Sequence, residues 1–402
     1  MRILFLLTQD LESPSGLGRY APLGRELARL GHQVRIAALH SSFYELADKH
    51  PRLGDAWVDY VAPMHVRKEG NVKTYYAGGE LALVVLRATW QLTRAALRSD
   101  ADIIHLGKPH PMNSLAGLAG KWLGGRRLLL DCDDYEAGVG RFSSEWQKRV
   151  VTFFEDKMPF RVSHITTNTH FTRDRLIGLG VPAERISYVS NGIDRQRFQP
   201  PNPAALERLR AKLGLGDRQV VAFVGSLSRP GHPVNILFDA FDLVQRDLPE
   251  CRLLLVGGGE DFPRLQQQAK LMGLEEKVIF CGRIPPEEVG LYYRLAHVSV
   301  DPVLDDDAAR GRSPLKLFES WACGVPFVSC NVGDRGRLLG DPPAGLLAKP
   351  GDAGSLAEEI LRLLRDAGLA AELKARGLQR AGEYYWDVLA RQMEQVYLSF
   401  RD

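Results

Sequence analysis

The sequence predicts an α/β protein made of two Rossmann-like, doubly wound domains, and three observations support this fold class. The chain has 402 residues, and at roughly 150 residues per domain this length suggests two or three domains. Short apolar strands alternate with helices through the first half, which predicts a parallel sheet with right-handed crossovers. The alternation then restarts after a proline-rich stretch. We therefore expect two facing sheets with a cleft between the carboxyl ends of their strands, where ligands of this fold class bind.

The first domain begins with the strand RILFLLT, the glycine-containing loop ESPSGLG and the helix RYAPLGRELARLG, which Gly31 closes. The next strand is HQVRIAAL. Later elements follow in the same alternation: strand ADIIHLG, helix PMNSLAGLAGKWLG, strand RRLLLDC, a helix around Ser144 to Met158, and strand SHITTN.

The stretch RFQPPNPAALERL contains three prolines, so we place the domain linker there and predict domains at 1–198 and 199–384. The second domain repeats the strand-helix order: strands QVVAFVGSL, CRLLLVGGGE, KVIFCGRI and HVSVDPV alternate with helices PVNILFDAFDLVQRDL, FPRLQQQAKLMG and PEEVGLYYRLA.

Composition sets limits on partners and compartment. The formal net charge is +3, which gives no reason to expect a nucleic-acid partner. The five cysteines form no Cys-x-x-Cys pair, which favours reduced thiols in a cytoplasmic compartment. The opening MRILFLL is too short for a signal peptide. The apolar stretch Leu81 to Arg98 carries Arg87 and Arg94, so it predicts an amphipathic helix that either packs on the core or lies on a membrane surface.

The stretch GRSPLKLFESWACGVPFVS predicts a helix with an open N-terminus. Ser313 suits an N-cap and Pro314 suits the first helical position. The helix is expected from Leu315 to about Cys323, with Gly324 as its stop and Val325–Cys330 as the following strand. Free backbone N–H groups and the helix dipole make such a start a candidate anion site, and an ordinary capped helix is the alternative.

Five stretches, in this order, resemble the retaining family four of the GT-B glycosyltransferases, which transfer sugars from nucleotide diphosphates. They are GLGRYAPLGRELARLGHQVRIAA, GVPAERISYVSNGIDRQRFQP, VIFCGRIPPEEVGLYYRLAHVSVDPV, PAGLLAKPGDAGSLAEEILRLLRD and WDVLARQMEQVY. The resemblance implies that the last helix, at about 385–402, crosses back onto the N-terminal domain.

The resemblance also implies donor-binding residues, with departures from the family pattern. Glu319 matches the family glutamate that holds the ribose hydroxyls, and the alternative is a surface residue suited to the helix dipole. Gly311 stands where the family has a glutamate for the donor sugar. The family usually has Arg directly after Gly225 and Lys six residues later, where this chain has Ser226 and His232.

Two diphosphate cations are therefore missing, and other cations lie nearby in the sequence: Arg229, Arg310, Arg312 and Lys316. Lys316 is our first choice for the cation that stabilises the leaving diphosphate, while a solvated surface Lys is the alternative. The backbone amide of Leu315 would help to orient the phosphates.

Other donor contacts follow from the two walls of the expected cleft. The loop with Gly16 and Gly18 would approach the diphosphate, because residues without a side chain allow close backbone contact. The backbone from Gly282 through Arg283 to Ile284 would lie beside the nucleotide base.

The strand end LLLDCDDYEAG supplies candidate catalytic and acceptor residues. Asp133 stands where the family often has a His that faces the donor sugar, and its carboxylate would bind sugar or acceptor hydroxyls. Asp134 and His110 are candidate acceptor-side residues. The alternative is that Asp131, Asp133 and Asp134 only cap the strand end. Neither DCDD nor LDDDAAR lies in a matching ligand cluster, so we expect no metal and no other cofactor.

These predictions combine into a glycosyltransferase that moves a sugar from a nucleotide diphosphate sugar to an acceptor hydroxyl with retention. The acceptor would be sugar-linked, lipid-linked or a small molecule, in polysaccharide, glycolipid or other glycoconjugate biosynthesis. We expect a cytoplasmic protein, with peripheral contact at an anionic inner membrane face as an option. The alternative is a degenerate GT-B protein that binds without turnover. An NAD-dependent oxidoreductase is excluded, because the loop lacks Gly-x-Gly-x-x-Gly and no acidic residue ends the second strand.

Overall fold

The computed structural model describes residues 1–69, 72–139, 142, 144–228 and 233–400. The chain forms two compact units. Unit 1 comprises Met1–Gly192, Gly311–Ser313 and Trp386–Asp402, and unit 2 comprises Ile193–Arg310 and Pro314–Tyr385. The predicted positions Arg229 and His232 lie outside the described residues.

The strands, in chain order, are β1 (Arg2–Leu7), β2 (Gln33–His40), β3 (Arg52–Leu53), β4 (Ala56–Pro63), β5 (Val66–Glu69), β6 (Val72–Tyr75), β7 (Ile103–Gly107), β8 (Arg127–Cys132), β9 (His164–Thr167), β10 (Ile186–Tyr188), β11 (Val220–Val224), β12 (Arg252–Val256), β13 (Val278–Gly282), β14 (Val298–Asp301), β15 (Phe327–Cys330) and β16 (Leu346–Ala348).

The helices, in chain order, are α1 (Ala21–Arg29), α2 (Gly78–Arg98), α3 (Pro111–Gly124), α4 (Glu136–Val139), α5 (Glu145–Lys157), α6 (His170–Gly178), α7 (Pro203–Lys212), α8 (Val234–Asp247), α9 (Phe262–Leu271), α10 (Val289–Leu295), α11 (Asp307–Arg310), α12 (Leu315–Ala322), α13 (Arg335–Leu339), α14 (Ala353–Arg365), α15 (Ala367–Ala381) and α16 (Trp386–Ser399).

Unit 1 is built on a sheet with the strand order β10-β9-β8-β7-β1-β2-β4-β3. Its neighbouring strands run parallel except for the antiparallel pair of β3 and β4. The separate hairpin of β5 and β6 and the strands β3 and β4 are additions to the predicted order. The alternation of buried and more exposed side chains along β4 is the pattern that could have located that strand.

Successive side chains of a strand point to opposite faces of the sheet, and helices cover both faces. Ile3 and Phe5 of β1 point into a core shared with α1 and α16. Leu4 and Leu6 point into a second core, where α2 and α3 bury Ala88, Leu92 and Met112 among others. Unit 1 therefore has the doubly wound arrangement that the sequence predicts.

The register of the parallel strands places several polar residues along one edge. Leu7 pairs with Gly107, Gly107 pairs with Asp131, and Cys132 pairs with Thr167. The residues that follow β1, β7, β8 and β9 therefore meet at the carboxyl edge of the sheet.

Unit 2 contains a six-stranded parallel sheet in the order β13-β12-β11-β14-β15-β16. One face packs against α8, α9 and α14, and the other packs against α7, α10 and α12. Gly225 follows β11, and Asp301 ends the neighbouring strand β14. Gly225, Asp301 and the start of α12 lie at the carboxyl edge of this sheet, where ligands of this fold class bind.

The start of α12 corrects one sequence prediction. The N-cap position is Pro314, with ψ at 89°, and no side chain caps the helix. Ser313 is therefore one residue too early to act as the N-cap, and Pro314 is not the first helical residue. In the stretch that we interpreted as a linker, Pro203 begins α7, and the Asn202 side chain caps this helix by accepting a hydrogen bond from the amide of Ala204.

Candidate functional site

The carboxyl edge of unit 1 holds a cluster of charged side chains around Lys108. The Lys108 Nζ atom lies 3.2 Å from Asp133 Oδ1, 2.9 Å from Asp134 Oδ2 and 2.6 Å from Glu136 Oε1. His110 extends the cluster, since its Nε2 atom lies 3.0 Å from Glu136 Oε2. Lys108 also has a φ of 72°, a strained value for a residue with a side chain, and such strain often occurs at functional sites.

Burial and neighbouring charges shift the pKa values of this cluster in different directions. Burial raises the pKa of Asp133 to about 7, and repulsion from neighbouring carboxylates adds to this effect. Burial also opposes the ionised form of Glu136, but Lys108 and His110 together hold the pKa of Glu136 well below its usual range. The three carboxylates raise the pKa of Lys108 despite its burial. The cluster therefore contains one carboxyl group, Asp133, that can exchange a proton near neutral pH.

The expectation that DCDD lies in no ligand cluster is wrong, because these three carboxylates are close enough together to be considered as ligands for a metal. One oxygen from each of Asp133, Asp134 and Glu136 lies within 4.8 Å of the others, and hard cations prefer such oxygens. The Lys108 ammonium lies among these oxygens and neutralises part of their charge. The arrangement is an ion-pair network with a lysine as its cation, which extends the simple strand cap considered from the sequence.

A second buried network holds the predicted glycine loop. Arg19 binds Asp131 with both ends of its guanidinium, at 2.6 Å and 2.7 Å, and both side chains are buried. Residues Gly16–Tyr20 form one π-helical turn, which precedes α1. A Cβ atom at Gly16 would lie 2.3 Å from the carbonyl oxygen of Asp10. Contact with the protein's own backbone is thus one reason for a glycine at position 16. The carbonyl of Gly18 accepts a hydrogen bond from the indole of Trp386.

In unit 2, Lys316 of α12 lies against the end of β11. Its Nζ atom lies 3.0 Å from Asp301 Oδ1 and 5.0 Å from the ring centroid of Phe223. A Cβ atom at Gly225 would lie 2.7 Å from Lys316 Cε, so the glycine makes room for the lysine stem. The side chain of Lys316 is 12% exposed, which is not the solvated surface Lys of the alternative interpretation.

Glu319 lies one turn further along α12 and is also largely enclosed. The Tyr293 hydroxyl donates a hydrogen bond of 2.9 Å to Glu319 Oε2, and Arg197 lies 3.9 Å from Oε1. Burial raises the pKa of Glu319, against the opposing effects of Arg197, Tyr293 and Lys316. The carboxylate is therefore held in a fixed position and is not a freely solvated surface group.

The other predicted donor residues have a range of exposures. Ser226 and Arg283 are exposed, whereas Gly282, Ile284, Arg312 and Leu315 are partly buried. Gly282 ends β13 with a φ of 69°, and its carbonyl accepts the amide of Gly257. Gly311 and Ser313 are buried within the segment assigned to unit 1.

Sequence reasoning missed four residues of these sites: Lys108, Glu136, Asp301 and Arg335. Lys108 stands in the segment LGKPHP, where His110 was the only predicted site residue. Asp301 ends a predicted strand, and it bridges Lys316 and Arg335. An ionisable residue at the carboxyl end of a strand of this fold class is the signal that could have identified both Lys108 and Asp301.

Two family models match the chain. The model described as glycosyl transferases group 1 matches residues 218–366, and the model described as glycosyl transferase 4-like domain matches residues 15–192. The first range contains Lys316 and Glu319, and the second contains the Lys108 cluster. These matches therefore cover both sites described above.

Curated relatives and solved structures agree with the two glycosyltransferase family matches. A GDP-mannose-dependent alpha-(1-6)-phosphatidylinositol monomannoside mannosyltransferase from Mycolicibacterium smegmatis is 28% identical over 69% of this chain and 71% of the relative. A D-inositol 3-phosphate glycosyltransferase from Acidothermus cellulolyticus is 32% identical over 58% of this chain and 52% of the relative. Sucrose-phosphate synthase from Thermosynechococcus elongatus has a TM-score of 0.77 at 21% identity and covers 99% of both chains.

Anabaena HepE in complex with UDP-glucose is a further structural neighbour, with a TM-score of 0.74 at 20% identity, 99% coverage of this chain and 100% coverage of that chain. Likeness at these identities shows the fold, and the fold class is GT-B. The protein is a glycosyltransferase of this fold class. Residues 218–366 form a domain of the group 1 glycosyltransferases, and residues 15–192 form a glycosyl transferase 4-like domain.

Proposed function

We propose that this glycosyltransferase transfers a sugar from a nucleotide diphosphate sugar to an acceptor hydroxyl with retention of anomeric configuration. The observation that carries the proposal is the enclosed pair of Lys316 and Glu319 on α12, within the range that matches the group 1 family. Two similar proteins support it: one relative is a GDP-mannose-dependent mannosyltransferase, and the structural neighbour HepE was solved with UDP-glucose. Unit 2 would bind the donor and unit 1 would bind the acceptor.

In the proposed donor site, Glu319 accepts hydrogen bonds from the ribose hydroxyls. A carboxylate has two oxygens for this purpose, and the Tyr293 hydroxyl holds one side of Glu319 in place. The backbone around Gly282 would lie beside the base, and the amide of Leu315 would contact the phosphates. Lys316 would then face the diphosphate at the start of the helix.

The charge balance around Lys316 supports its role with the leaving group. Lys316 and Arg335 both pair with Asp301, so these three residues keep one net positive charge. A unit charge at about 4 Å contributes roughly 4 kcal/mol at the effective dielectric of a protein surface. The negative charge of the diphosphate grows as the glycosidic bond breaks, so this cation stabilises the transition state more than the ground state.

We also propose that the reaction needs no metal and no other cofactor. A basic group already lies at each carboxylate site: Lys108 among the carboxylates of unit 1, and Lys316 with Arg335 beside Asp301. Activity should therefore survive dialysis against EDTA. A loss of activity that Mg²⁺ or Mn²⁺ restores would overturn this part of the proposal.

A peripheral contact with an anionic membrane extends the proposal to lipid-linked acceptors. Among the described residues, no helix is long and apolar enough to cross a membrane. Helix α2 nevertheless exposes Leu83, Leu86 and Trp90 by 66–69%, beside Arg87 and Arg94. Exposed apolar side chains interleaved with arginines suit the interface of an anionic bilayer. The relative from Mycolicibacterium smegmatis acts on a phosphatidylinositol monomannoside by its name.

Helices α3 and α5 extend this exposed apolar surface. Trp122 and Leu123 of α3 are 66% and 77% exposed, and Trp146 and Phe153 of α5 are 63% and 58% exposed. The opposite sides of α2, α3 and α5 contact the same core of unit 1. We define the outward sides of these three helices as the Trp surface and propose that it contacts the bilayer from the cytoplasm, where the five unpaired cysteines remain reduced.

A thermal-shift screen against UDP-, GDP- and ADP-sugars tests the function directly. A ligand at 100 times its Kd stabilises the folded protein by about 2.7 kcal/mol, which a melting curve detects. NMR of the product formed from the stabilising donor should show the anomeric configuration of that donor. Inversion would overturn the retaining mechanism, and donor binding with no hydrolysis or transfer would favour a degenerate protein that binds without turnover.

A further inference from the structure

A continuous set of polar contacts runs along the carboxyl edge of unit 1, beyond the charged cluster. The Thr8 hydroxyl lies 2.6 Å from Nδ1 of His110 and 3.3 Å from Oε1 of Gln9. His110 in turn contacts Glu136, which contacts Lys108. The amide of Gln9 is therefore part of the same edge as Asp133 and Asp134.

Three buried amides on this edge have unused hydrogen-bonding atoms. Within the described part of the chain, Gln9 Nε2, Asn113 Oδ1 and both polar atoms of Asn168 have no hydrogen-bond partner, and of the three only Asn168 has neither of its polar atoms paired. Gln9 is 6% exposed and Asn168 is 1% exposed. Asn168 directly follows Thr167, which pairs with Cys132, so Asn168 and Asp133 follow neighbouring strands at the same edge of the sheet. Buried polar atoms are nearly always paired, and such exceptions call for an explanation.

The charge of this edge limits what could satisfy those atoms. Besides the His110 imidazole, the cluster contains three carboxyl groups and one lysine, and these four groups together remain negative even when Asp133 holds a proton. The guanidinium of the neighbouring Arg19 is already bound to Asp131 and to the backbone of Val189 and Ser190. A phosphate would meet net repulsion here, whereas hydroxyl groups can donate to carboxylates and can both donate to and accept from amides.

We propose that the carboxyl edge of unit 1 binds a neutral polyhydroxylated acceptor, a sugar or cyclitol ring without a phosphate on the face bound here. The amides of Gln9 and Asn168 bond to its hydroxyls, and Asp134 and His110, the more exposed members of the cluster, contact it as well. This inference rests on the proposed function, because it names the acceptor class of the same enzyme. It separates this chain from relatives whose names specify a phosphorylated inositol.

Binding of matched neutral and phosphorylated probes tests the acceptor class. The probes are methyl α-mannopyranoside, methyl α-glucopyranoside and myo-inositol, each compared with its monophosphate by titration calorimetry on the full chain. We expect at least one neutral probe to bind, and its monophosphate to bind at least about tenfold more weakly, a difference of about 1.4 kcal/mol. The proposal fails if no neutral probe binds, or if the monophosphates bind as tightly.

A pair of variants separates a ligand-binding amide from a structural one. Asn113 is a buried amide whose Nδ2 contacts three backbone carbonyl oxygens at 2.8–3.2 Å, so Asn113→Ala should lower the melting temperature. Asn168→Ala removes an amide that has no partner, and we expect an unchanged or higher melting temperature together with about tenfold weaker binding of the neutral probe. Destabilisation by Asn168→Ala with unchanged probe affinity would overturn the assignment.

Nucleotide titrations in the same experiment distinguish the two levels of inference. If UDP or GDP binds and the phosphorylated probes bind better than the neutral ones, the acceptor class is wrong and the proposed function stands. If no nucleotide binds, the proposed function itself is wrong.

Discussion

Lys316 and Asp301 form a largely buried ion pair in unit 2, with 3.0 Å between Nζ and Oδ1. The second carboxylate oxygen of Asp301 lies 3.1 Å from Nη2 of Arg335. Asp301 thus holds two cations, and the pairing fixes the Lys316 ammonium beside Gly225, where β11 has just ended. A cation positioned before the substrate binds needs little reorganisation during the reaction, which is the condition for effective electrostatic stabilisation.

The first prediction is that Lys316→Met slows the chemical step. Methionine keeps an unbranched side chain over the Phe223 ring but removes the positive charge. We expect kcat to fall about a hundredfold, which corresponds to about 2.7 kcal/mol of lost transition-state stabilisation. Single-turnover kinetics with the preferred donor measures the effect, and Lys270→Met, at an exposed position on α9, is the matched control.

Near-normal kcat in Lys316→Met would mean that the ion pair with Asp301 is structural only. The family pattern offers a complementary test: Ser226→Arg combined with His232→Lys should partly restore the rate of the variant. The kcat of Lys316→Met decides the role of Lys316. The double substitution tests only whether the family cations can replace this lysine.

The contrast between Lys316 and Lys108 shows how far the sequence leads. Lys316 stands in a local pattern, one residue after a helix start, so its place on the helix could be predicted from the stretch itself, although its partner Asp301 could not. Lys108 gains its partners from a different strand end and from α4, which are 25 to 28 positions away in the chain. No local pattern encodes that distance, and only the register of β7 with β8 brings these residues together.

The difference between local patterns and distant contacts also explains which strands and helices the sequence predicts correctly. Strand β11 and residues 3–7 of β1 are continuous apolar runs because helices cover both faces of their sheets, and the sequence predicts both strands directly. The first residue of α12 is Leu315, as the sequence predicts, whereas the N-cap lies one residue later than predicted, because Ser313 and Pro314 both favour helix starts. The short strands β3 and β5 have too few residues for any periodicity to be visible.

The second prediction concerns Glu319 and nucleotide affinity. Glu319→Gln should weaken nucleotide binding at least tenfold, because hydrogen bonds to a charged group contribute about 1.5–3 kcal/mol each. Titration calorimetry with UDP and GDP measures the change. Glu287→Gln, at an exposed position in the same unit, should leave the affinity unchanged. Equal affinity in Glu319→Gln and wild type would exclude the ribose assignment.

The third prediction is a loss of stability between pH 5 and pH 8 that depends on Asp133. Burial raises the pKa of Asp133 to about 7, while Asp131, Asp134 and Glu136 add repulsion and Lys108 opposes it. An unfolded chain releases this proton near pH 4. The folded state therefore binds more protons between about pH 4 and 7, and the free energy of unfolding falls as the pH rises through that window.

Urea unfolding at pH 5 and pH 8 measures this loss, and Asp133→Asn should reduce it by about 2.7 kcal/mol, since about two pH units separate pH 5 from the folded pKa and each unit corresponds to about 1.4 kcal/mol. Asp59→Asn, which changes a carboxylate on β4 away from the cluster, is the control. Parallel pH dependence in wild type and Asp133→Asn would show that Asp133 carries no such proton.

The last prediction concerns the Trp surface of α2, α3 and α5. We expect the protein to sediment with vesicles that contain anionic phospholipid at low salt, and to be released as salt rises, because the Debye length shrinks from about 30 Å at 0.01 M to about 8 Å at 0.15 M. Trp90→Ser combined with Trp122→Ser should weaken binding, since both indoles are 66% exposed and interfaces favour tryptophan. Trp57→Ser is the matched control, because Trp57 is 52% exposed on β4, outside these helices. Binding that is equal in the double variant and the control, or absent at low salt, would assign these helices to the core of unit 1 alone and indicate a soluble acceptor.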